Sequence, residues 1–535
     1  MKKRINIKLF QLIVILFVIV TSTSCSDKFF DEQAGDRITP DKHYKSMNDA
    51  QASLAGAFSP LQKALPNLIL IDGLLSDQMN VTPNTNAYLR EINEHSFAGG
   101  NPYLDASDYY KVIINANEAI ANLSKISKID RDFDDKMYKS NLYALESLKS
   151  WTYLTLVRLY GKAVLIDNNL TELPQVKSVP LEKQVMIDTL INRLVRQIPP
   201  VNTIEYRFGN YMNGKAVLGE LYLEKGDYAN AVKYLTLAIE SYQNWPRTNV
   251  YKVDGFASEG WRFIFNAENN TGGLKIVDPP HPEIISAVPY DMFQSQFNPL
   301  PTYMLPIGNF EVIPSQNLIN TFMRQVQSAA KPDTSDVFRG LGTLESGPAT
   351  LDTTSTGEYY INKYSIYKSN PYSSPIVISR AADLHLLLAE ALNRSNNSKI
   401  ALILLNGGFK SEKSVPPAYN KWKLNIGIRG RAYLKPVIVP DSLNGEPAVE
   451  GSAAYIEYVE DLIIEERSME LAFEGKRWFD LVRIAERRTG TPNYIADKVT
   501  AKFSAPEQSA MKEMVRTKLL IPANWYLPFS NELIK

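Results

Sequence analysis

Residues 211–242 read YMNGKAVLGELYLEKGDYANAVKYLTLAIESY. Leu218-Gly219 with Tyr222, then Ala231, Leu235 and Ala238, follow the spacing of a tetratricopeptide-type helix-turn-helix, in which small residues let two antiparallel helices approach and a tyrosine fills the gap. Gly226-Asp227 supplies the turn. An ordinary helical hairpin would show the same spacing. One such unit buries its apolar face only against a neighbour, so partners are expected at 105–160 and at 376–396, where Leu384 to Leu388 and Ala389-Glu390-Ala391 form another apolar helix.

Working outward, helical stripes are expected at about 105–124, 136–160, 181–197, 211–224 and 228–243, and from Asn48 to Gln62 with a break at Pro60. From 251 to 375 the texture changes. Trp261, the Asn266 to Gly273 run, Pro279-Pro280, Pro289, Pro299 and Pro301 punctuate the chain too densely for long helices, so short strands such as Glu283 to Val288 are expected there. A second irregular stretch covers 406–450, and helices return at 376–396 and 455–488. The fold class is therefore mainly α, with a loop-rich face carrying short strands. Roughly 510 residues exceed what a single core usually holds, so two sub-cores are expected.

The N-terminus carries Lys2, Lys3, Arg4 and Lys8, then an apolar run from Leu12 to Val20, then Thr21-Ser22-Thr23-Ser24 before Cys25. This is the layout of a secretory leader over 1–24, removed on export. Cys25 is the only cysteine, which excludes an intramolecular disulfide, and its place behind small residues marks it for lipid attachment. Acyl chains add about 0.8 kcal/mol per buried methylene, so the protein is expected to sit on a membrane by its lipid, with 25–45 as tether. Without the leader, 54 basic residues face 58 acidic ones, a net of about −4. That gives no electrostatic footprint for nucleic acid.

No catalytic constellation stands out. His43, His95, His281 and His385 are scattered without metal-ligand spacing, and no cofactor or metal is expected. Gly209 to Lys215 has the frame of a phosphate-binding loop, but Ala216 stands where the hydroxyl for magnesium is needed. Glu465-Glu466, Glu470 and Glu474 could suggest a glycosidase pair. Their spacing of three or four from each other, Arg477, Asp480 and Arg483 fits instead a surface or semi-buried ladder of charges on one helix.

That helix, residues 466–483, reads ERSMELAFEGKRWFDLVR and resembles the hallmark C-terminal helix of the SusD/RagB family. Leu145 to Ile166 with its Leu159-Tyr160-Gly161 exit, Ile378 to Asn393 and Leu520-Ile521-Pro522 to Leu533 agree in order and spacing. Arg429 to Glu450 is longer than the family's link there. The resemblance implies a SusD-like α-superhelix of tetratricopeptide-like pairs, with an N-terminal region at 46–250 and a C-terminal one at 251–535. It also implies a surface-exposed outer-membrane lipoprotein that catalyses nothing, captures oligo- or polysaccharide and lids a SusC-like TonB-dependent transporter.

Sugar rings stack their C–H faces on aromatic side chains, and their hydroxyls need planar amide, carboxylate or guanidinium partners. Two segments offer that mixture: a polar loop between helices from Asp77 to Tyr103, with Asp77, Asn80, Asn84, Asn86, Tyr88, Arg90, Asn93 and Tyr103, and the loop segment holding Trp261, Tyr290, Phe293, Gln296, Asn298 and Tyr303. By analogy with the family both are expected to line the binding face. A RagB-like oligopeptide receptor, with a groove bearing Arg90 and Arg339, is the alternative.

Overall fold

The structure, a computed structural model, describes residues 44–97, 99–166, 179–198, 211–241, 264–265, 283–328, 335–342, 349–365, 371–488, 490–491 and 493–529. The expected leader, Cys25, most of the tether, Trp261, His43 and His281 lie outside them. The N-terminal half contains α1 (Met47–Phe58), α2 (Leu61–Leu75), β1 (Met79–Val81), α3 (Ala87–Asn93), α4 (Ser107–Ile129), α5 (Asp135–Tyr160), β2 (Lys162–Ala163), β3 (Leu181–Glu182), α6 (Lys183–Gln197), α7 (Gly214–Lys225) and α8 (Tyr228–Ile239). Next come β4 (Ile284–Val288), α9 (Leu300–Met304), β5 (Val312–Pro314), α10 (Gln316–Met323), β6 (Leu351–Thr353), β7 (Tyr359–Ile361) and β8 (Ile376–Arg380). The chain continues with α11 (Ala381–Arg394), α12 (Ser398–Leu405), α13 (Ile428–Arg431), β9 (Ser442–Leu443), β10 (Glu446–Pro447), α14 (Ala453–Glu470), α15 (Arg477–Arg487), α16 (Tyr494–Thr500) and α17 (Ser509–Leu519).

The helices start and stop where side chains satisfy their free backbone groups. Ser46 and Asp49 form a capping box on α1, and Asp134, Asn213 and Asp227 cap α5, α7 and α8. Gly161 and Gly226 end α5 and α7 with φ of 71° and 81°, a conformation that glycine adopts without penalty.

Packing runs as a chain of neighbours. α1 lies on α4, α4 on α5, α5 on α6 and α7, α7 on α8, α8 on α11, and α11 on α12 and α14. The α7–α8 hairpin is as tight as its spacing predicts: a Cβ on Gly219 would sit 2.5 Å from Leu235 Cγ, and Tyr222 stacks on Tyr234 with ring centroids 5.3 Å apart. Among the described residues, buried apolar side chains form two clusters, which do not divide the chain into halves. The larger joins α1–α7 to α15–α17, and the smaller joins α8, α11 and α12 to Trp422 and Ile428.

Three elements differ from the sequence reading. Ile376-Val377-Ile378, expected within a helix, is part of the wholly buried strand β8 and pairs antiparallel with β4, since a β-branched run packs well on a pleated surface. The loop expected over 77–103 contains β1 and α3. The single helix expected over 466–483 is two, because Phe473 and Gly475 take left-handed φ of 63° and 70°. Gln78 fills the break: its Nε2 donates to Ser468 O at 2.9 Å and its Oε1 accepts from Phe473 N at 3.0 Å.

Around that break the charges are buried, against the expectation of a surface or semi-buried ladder. Arg380 of β8 donates to Glu283, Glu470 and Glu474 at 2.7–2.9 Å. Arg431 reaches Glu283 and Glu470, Arg339 reaches Asp336, Glu466 and Glu470, Arg429 reaches Glu466, and Lys363 reaches Glu474. Five cations thus neutralise five carboxylates from both irregular stretches and from α14, the turn after it and β8. Glu470 and Glu474, the glycosidase-like pair, are wholly committed here. A neighbouring set fastens α11 to α15: Arg483 donates to both oxygens of Glu390 at 2.9 and 2.7 Å, and Arg487 adds a third bond at 2.8 Å.

Two predictions follow the packing and the charges. Gly219→Val forces branched bulk into Leu235 and is expected to destabilise the protein by about 1–3 kcal/mol in urea unfolding; an unchanged midpoint would show that the hairpin has slack. Burial alone would raise the Glu390 carboxyl, but the guanidinium groups of Arg483 and Arg487 bring it down from 4.5 to about 2. A carboxylate with a depressed pKa stabilises the fold above pH 4.5 and loses that contribution as the pH falls towards 2. Glu390→Gln, which strands a buried guanidinium, is therefore expected to cost about 3–5 kcal/mol at neutral pH, with the gap to wild type narrowing in acid. A gap of equal size at both ends of the pH range would contradict this.

Candidate functional site

The turn from α2 into β1 starts with Asp77, which accepts two bonds from Arg477, 2.7 Å to Oδ1 and 2.8 Å to Oδ2. β1 then pairs antiparallel with β5, Asn80 opposite Ile313. This ladder brings the two candidate segments of the sequence together, although more than two hundred residues separate them.

Beyond the ladder the side chains interlock. Thr82 Oγ1 donates to Phe310 O at 2.6 Å, and Thr85 Oγ1 donates to Glu311 O. Asn86 donates to the Glu311 carboxylate through its backbone N at 3.0 Å and its Nδ2 at 2.6 Å, while its Oδ1 caps α3 by accepting from Leu89 N. Asn309 Nδ2 donates to the other Glu311 oxygen at 3.1 Å. Gly308 is required in this turn, since a Cβ there would lie 2.5 Å from Thr302 O.

The result is a ledge of rings and amides. α3 turns Leu89 and Ile92 inward and leaves Tyr88 exposed at 44%. Asn101 ties α3 to the next turn by donating to Tyr88 O at 3.0 Å and Glu91 Oε2 at 3.1 Å, and accepts from Tyr103 N. The half-buried Tyr103 hydroxyl donates to Tyr303 Oη at 3.2 Å and accepts from Asn86 Nδ2, and the two tyrosine rings meet edge to face with centroids 6.5 Å apart. Burial, then the bond to Tyr303, raises the Tyr103 hydroxyl well above its usual range, so it stays protonated as a donor. Asn84, Ile307 and Asn309 extend the exposed rim.

The remaining candidates are placed elsewhere or differently used. Asp77 is buried against Arg477, and Asn80 is buried with its Oδ1 turned back to Val81 N and Asn93. Arg90 clasps its own loop, donating to the carbonyls of Thr82, Pro83 and Thr85. Arg339 is fully buried and lines no groove, which removes one ground for a peptide receptor. Tyr290 is buried and donates to Gln62 O at 2.7 Å, and Gln296 Oε1 accepts from Gln62 Nε2. Asn298 is buried and holds Ser374 O. Phe293 lies in a short 3-10 turn, Met292–Gln294.

Glu311, Asn309 and Asn101 are structural members of the ledge that the sequence reading does not single out. Gly308-Asn309 after a proline-rich run is the one signal for that turn. Among the described residues, no group of three or more His, Cys, Asp or Glu side chains could hold a metal ion. His385 Nδ1 lies 2.6 Å from Ala381 O inside α11, and His95 Nε2 lies 3.0 Å from Leu75 O, so both are core residues.

Comparison with known proteins gives a consistent picture. Residues 316–535 match the family model described as the SusD family. SusD-like protein P38 of Formosa agariphila is 24% identical over 517 residues, covering 90% of this chain and 92% of that protein. The crystal structure of a SusD superfamily protein from Bacteroides vulgatus superposes with a TM-score of 0.62 at 14% identity, over 89% of this chain and 93% of that one. A structure described as a laminarin binding SusD-like protein gives a TM-score of 0.53 at 16% identity, over 88% and 96%. The stacked helix pairs, the strand-bearing irregular face and these matches agree with the resemblance of residues 466–483 to the SusD/RagB family, whose model residues 316–535 match.

Proposed function

We propose that the protein is a glycan-binding lipoprotein of the outer-membrane surface, anchored through Cys25, that captures oligo- or polysaccharide and passes it to a SusC-like TonB-dependent transporter. The observation that carries this reading is the ledge, where Tyr103 and Tyr303 share one hydrogen-bonded surface with Asn84, Asn86 and Asn309, and the exposed Tyr88 is tied in through its backbone carbonyl to Asn101. Rings of this kind offer faces to sugar C–H groups, and amides offer both donors and acceptors to hydroxyls. The match of residues 316–535 to the SusD family model and the laminarin-binding description of one structural neighbour support the ligand class. Binding without turnover fits the commitment of Glu470 and Glu474 to buried arginines, and product analysis after long incubation with a bound glycan tests it. Among the described residues no helix is long and apolar enough to cross a membrane, and this reading takes the lipid on Cys25 as the attachment.

Isothermal titration with laminarin and a panel of other polysaccharides tests the reading directly. Tyr88→Ala and Tyr303→Ala are each expected to weaken binding about three- to tenfold, the worth of roughly one aromatic contact. Tyr290→Phe, altered beneath the surface, is expected to leave affinity unchanged. Binding of every glycan equally by wild type and ledge variants would refute the assignment. For the anchor, Cys25→Ala is expected to abolish incorporation of radiolabelled palmitate and to release the protein from the membrane fraction, and with it co-purification of the transporter; a labelled or membrane-bound variant would contradict the lipid reading.

A further inference from the structure

A second concave site lies where the end of α5, the start of α6 and the C-terminal segment meet. It is a cleft of about 690 Å³ lined by Tyr160, Lys183, Glu224, Glu486, Tyr526 and Phe529, among others. None of these residues takes part in the ledge, and its volume falls in the range of small-molecule sites.

Its chemistry is specific. Glu224 comes from α7 with its side chain only 1% exposed. Its Oε1 accepts from Arg158 Nε at 2.8 Å. Its Oε2 accepts no hydrogen bond among the described residues and meets only the Lys183 ammonium, as an ion pair at 3.2 Å. Lys183 also donates to Glu486 Oε2 at 2.9 Å and lies 3.4 Å from the Tyr526 hydroxyl, which itself donates to Glu486. Glu486 is 34% exposed and so open to a ligand. On the opposite side, half-buried Phe529 packs edge to face on Tyr160 with centroids 5.9 Å apart, and the Tyr526 ring lies against Lys183.

Charge decides the ligand class. Lys183, Arg158 and, at 3.7 Å from Glu224, Arg483 already face the carboxylates of Glu224, Glu486 and Glu220, so a cation would have to displace Lys183 and an anion would meet carboxylates. A neutral molecule rich in hydroxyl donors suits the partly exposed carboxylate of Glu486, beside which the buried Glu224 holds Lys183, and an apolar face suits Tyr526 and Phe529.

We propose that this cleft is a second saccharide subsite, taking one sugar ring or a chain end. It shares the ligand class with the function proposed above but not its residues, and the two are separable by experiment. Glucose, galactose, mannose, N-acetylglucosamine and laminarihexaose are titrated by saturation-transfer NMR into the full chain and its variants, each checked for fold by circular dichroism. The Tyr88→Ala/Tyr303→Ala protein is expected to retain weak binding of at least one of these sugars. Adding Glu486→Gln and Tyr526→Ala is expected to reduce that residual signal about tenfold or more, as for loss of a charged acceptor together with a stacking ring. Glu486→Gln alone is expected to leave the ledge's affinity for laminarihexaose as in wild type. Residual binding that vanishes with the ledge, or that survives the cleft substitutions, overturns the cleft proposal and leaves the ledge standing. Wild type that binds none of these sugars, laminarin or the wider polysaccharide panel overturns both.

Discussion

Arg380 sits at the end of a buried strand and makes ion pairs with Glu283, Glu470 and Glu474, while its Nη2 also reaches the Glu470 carbonyl at 2.6 Å. Removing such groups from water costs several kcal/mol per ion, and the attraction recovers this only when every charge has its partners. Here the partners come from segments with little regular structure: 283 from the start of β4, 336–339 and 363 from the strand-bearing stretch, 429–431 from the second irregular stretch. A layer built of loops cannot fix its own register by backbone ladders, and five short antiparallel pairs among the described residues do not join into one sheet. The ion cluster supplies the missing register, since a one-residue slip of any segment would strand a charge in the interior.

The ledge inherits its geometry from this arrangement. The break between α14 and α15 places Arg477 where it grips Asp77 with two bonds, and Gln78 closes the break from the other side. β1 therefore leaves the helical scaffold at a set position, pairs with β5, and carries Asn86 to Glu311. Only after those steps do Tyr103 and Tyr303 meet. Buried ions that bind no ligand thus position the side chains proposed to bind one, and mutations in them would reach the ledge through the Asp77–Arg477 contact.

What was legible in the sequence follows the range of the interactions involved. The α7–α8 hairpin is determined by residues within thirty positions of each other: Gly219 against Leu235, Tyr222 against Tyr234, Gly226 at the turn. Its period and turn chemistry are local, and they read correctly. The ledge depends on pairs far apart in sequence, Tyr103 with Tyr303 and Asn86 with Glu311, so its two halves could be named but not joined. Asp77, Asn80 and Arg339 looked accessible because polar residues outside helices usually are, and their partners lie too far along the chain to be seen. Residues 466–483 are instructive in the same way. Asp480 pairs with Arg483 as their spacing predicts, yet Arg477 bonds to Asp77 and Glu474 to Arg380, so local spacing identified only part of the partners.

A polymer ligand changes what each contact must supply. A ledge of half-exposed rings can give only modest energy per sugar, because each ring face remains partly wet. Two features compensate. Tyr103 is held by hydrogen bonds to Asn86 and Tyr303 before any ligand arrives, so little side-chain freedom remains to be lost on binding. A chain with repeating units also presents the next copy of the same epitope at high effective concentration when one unit is released. Shallow, preorganised contacts therefore favour a receptor that holds a long chain while letting it slide, which is the behaviour that the proposed hand-over to a transporter would require.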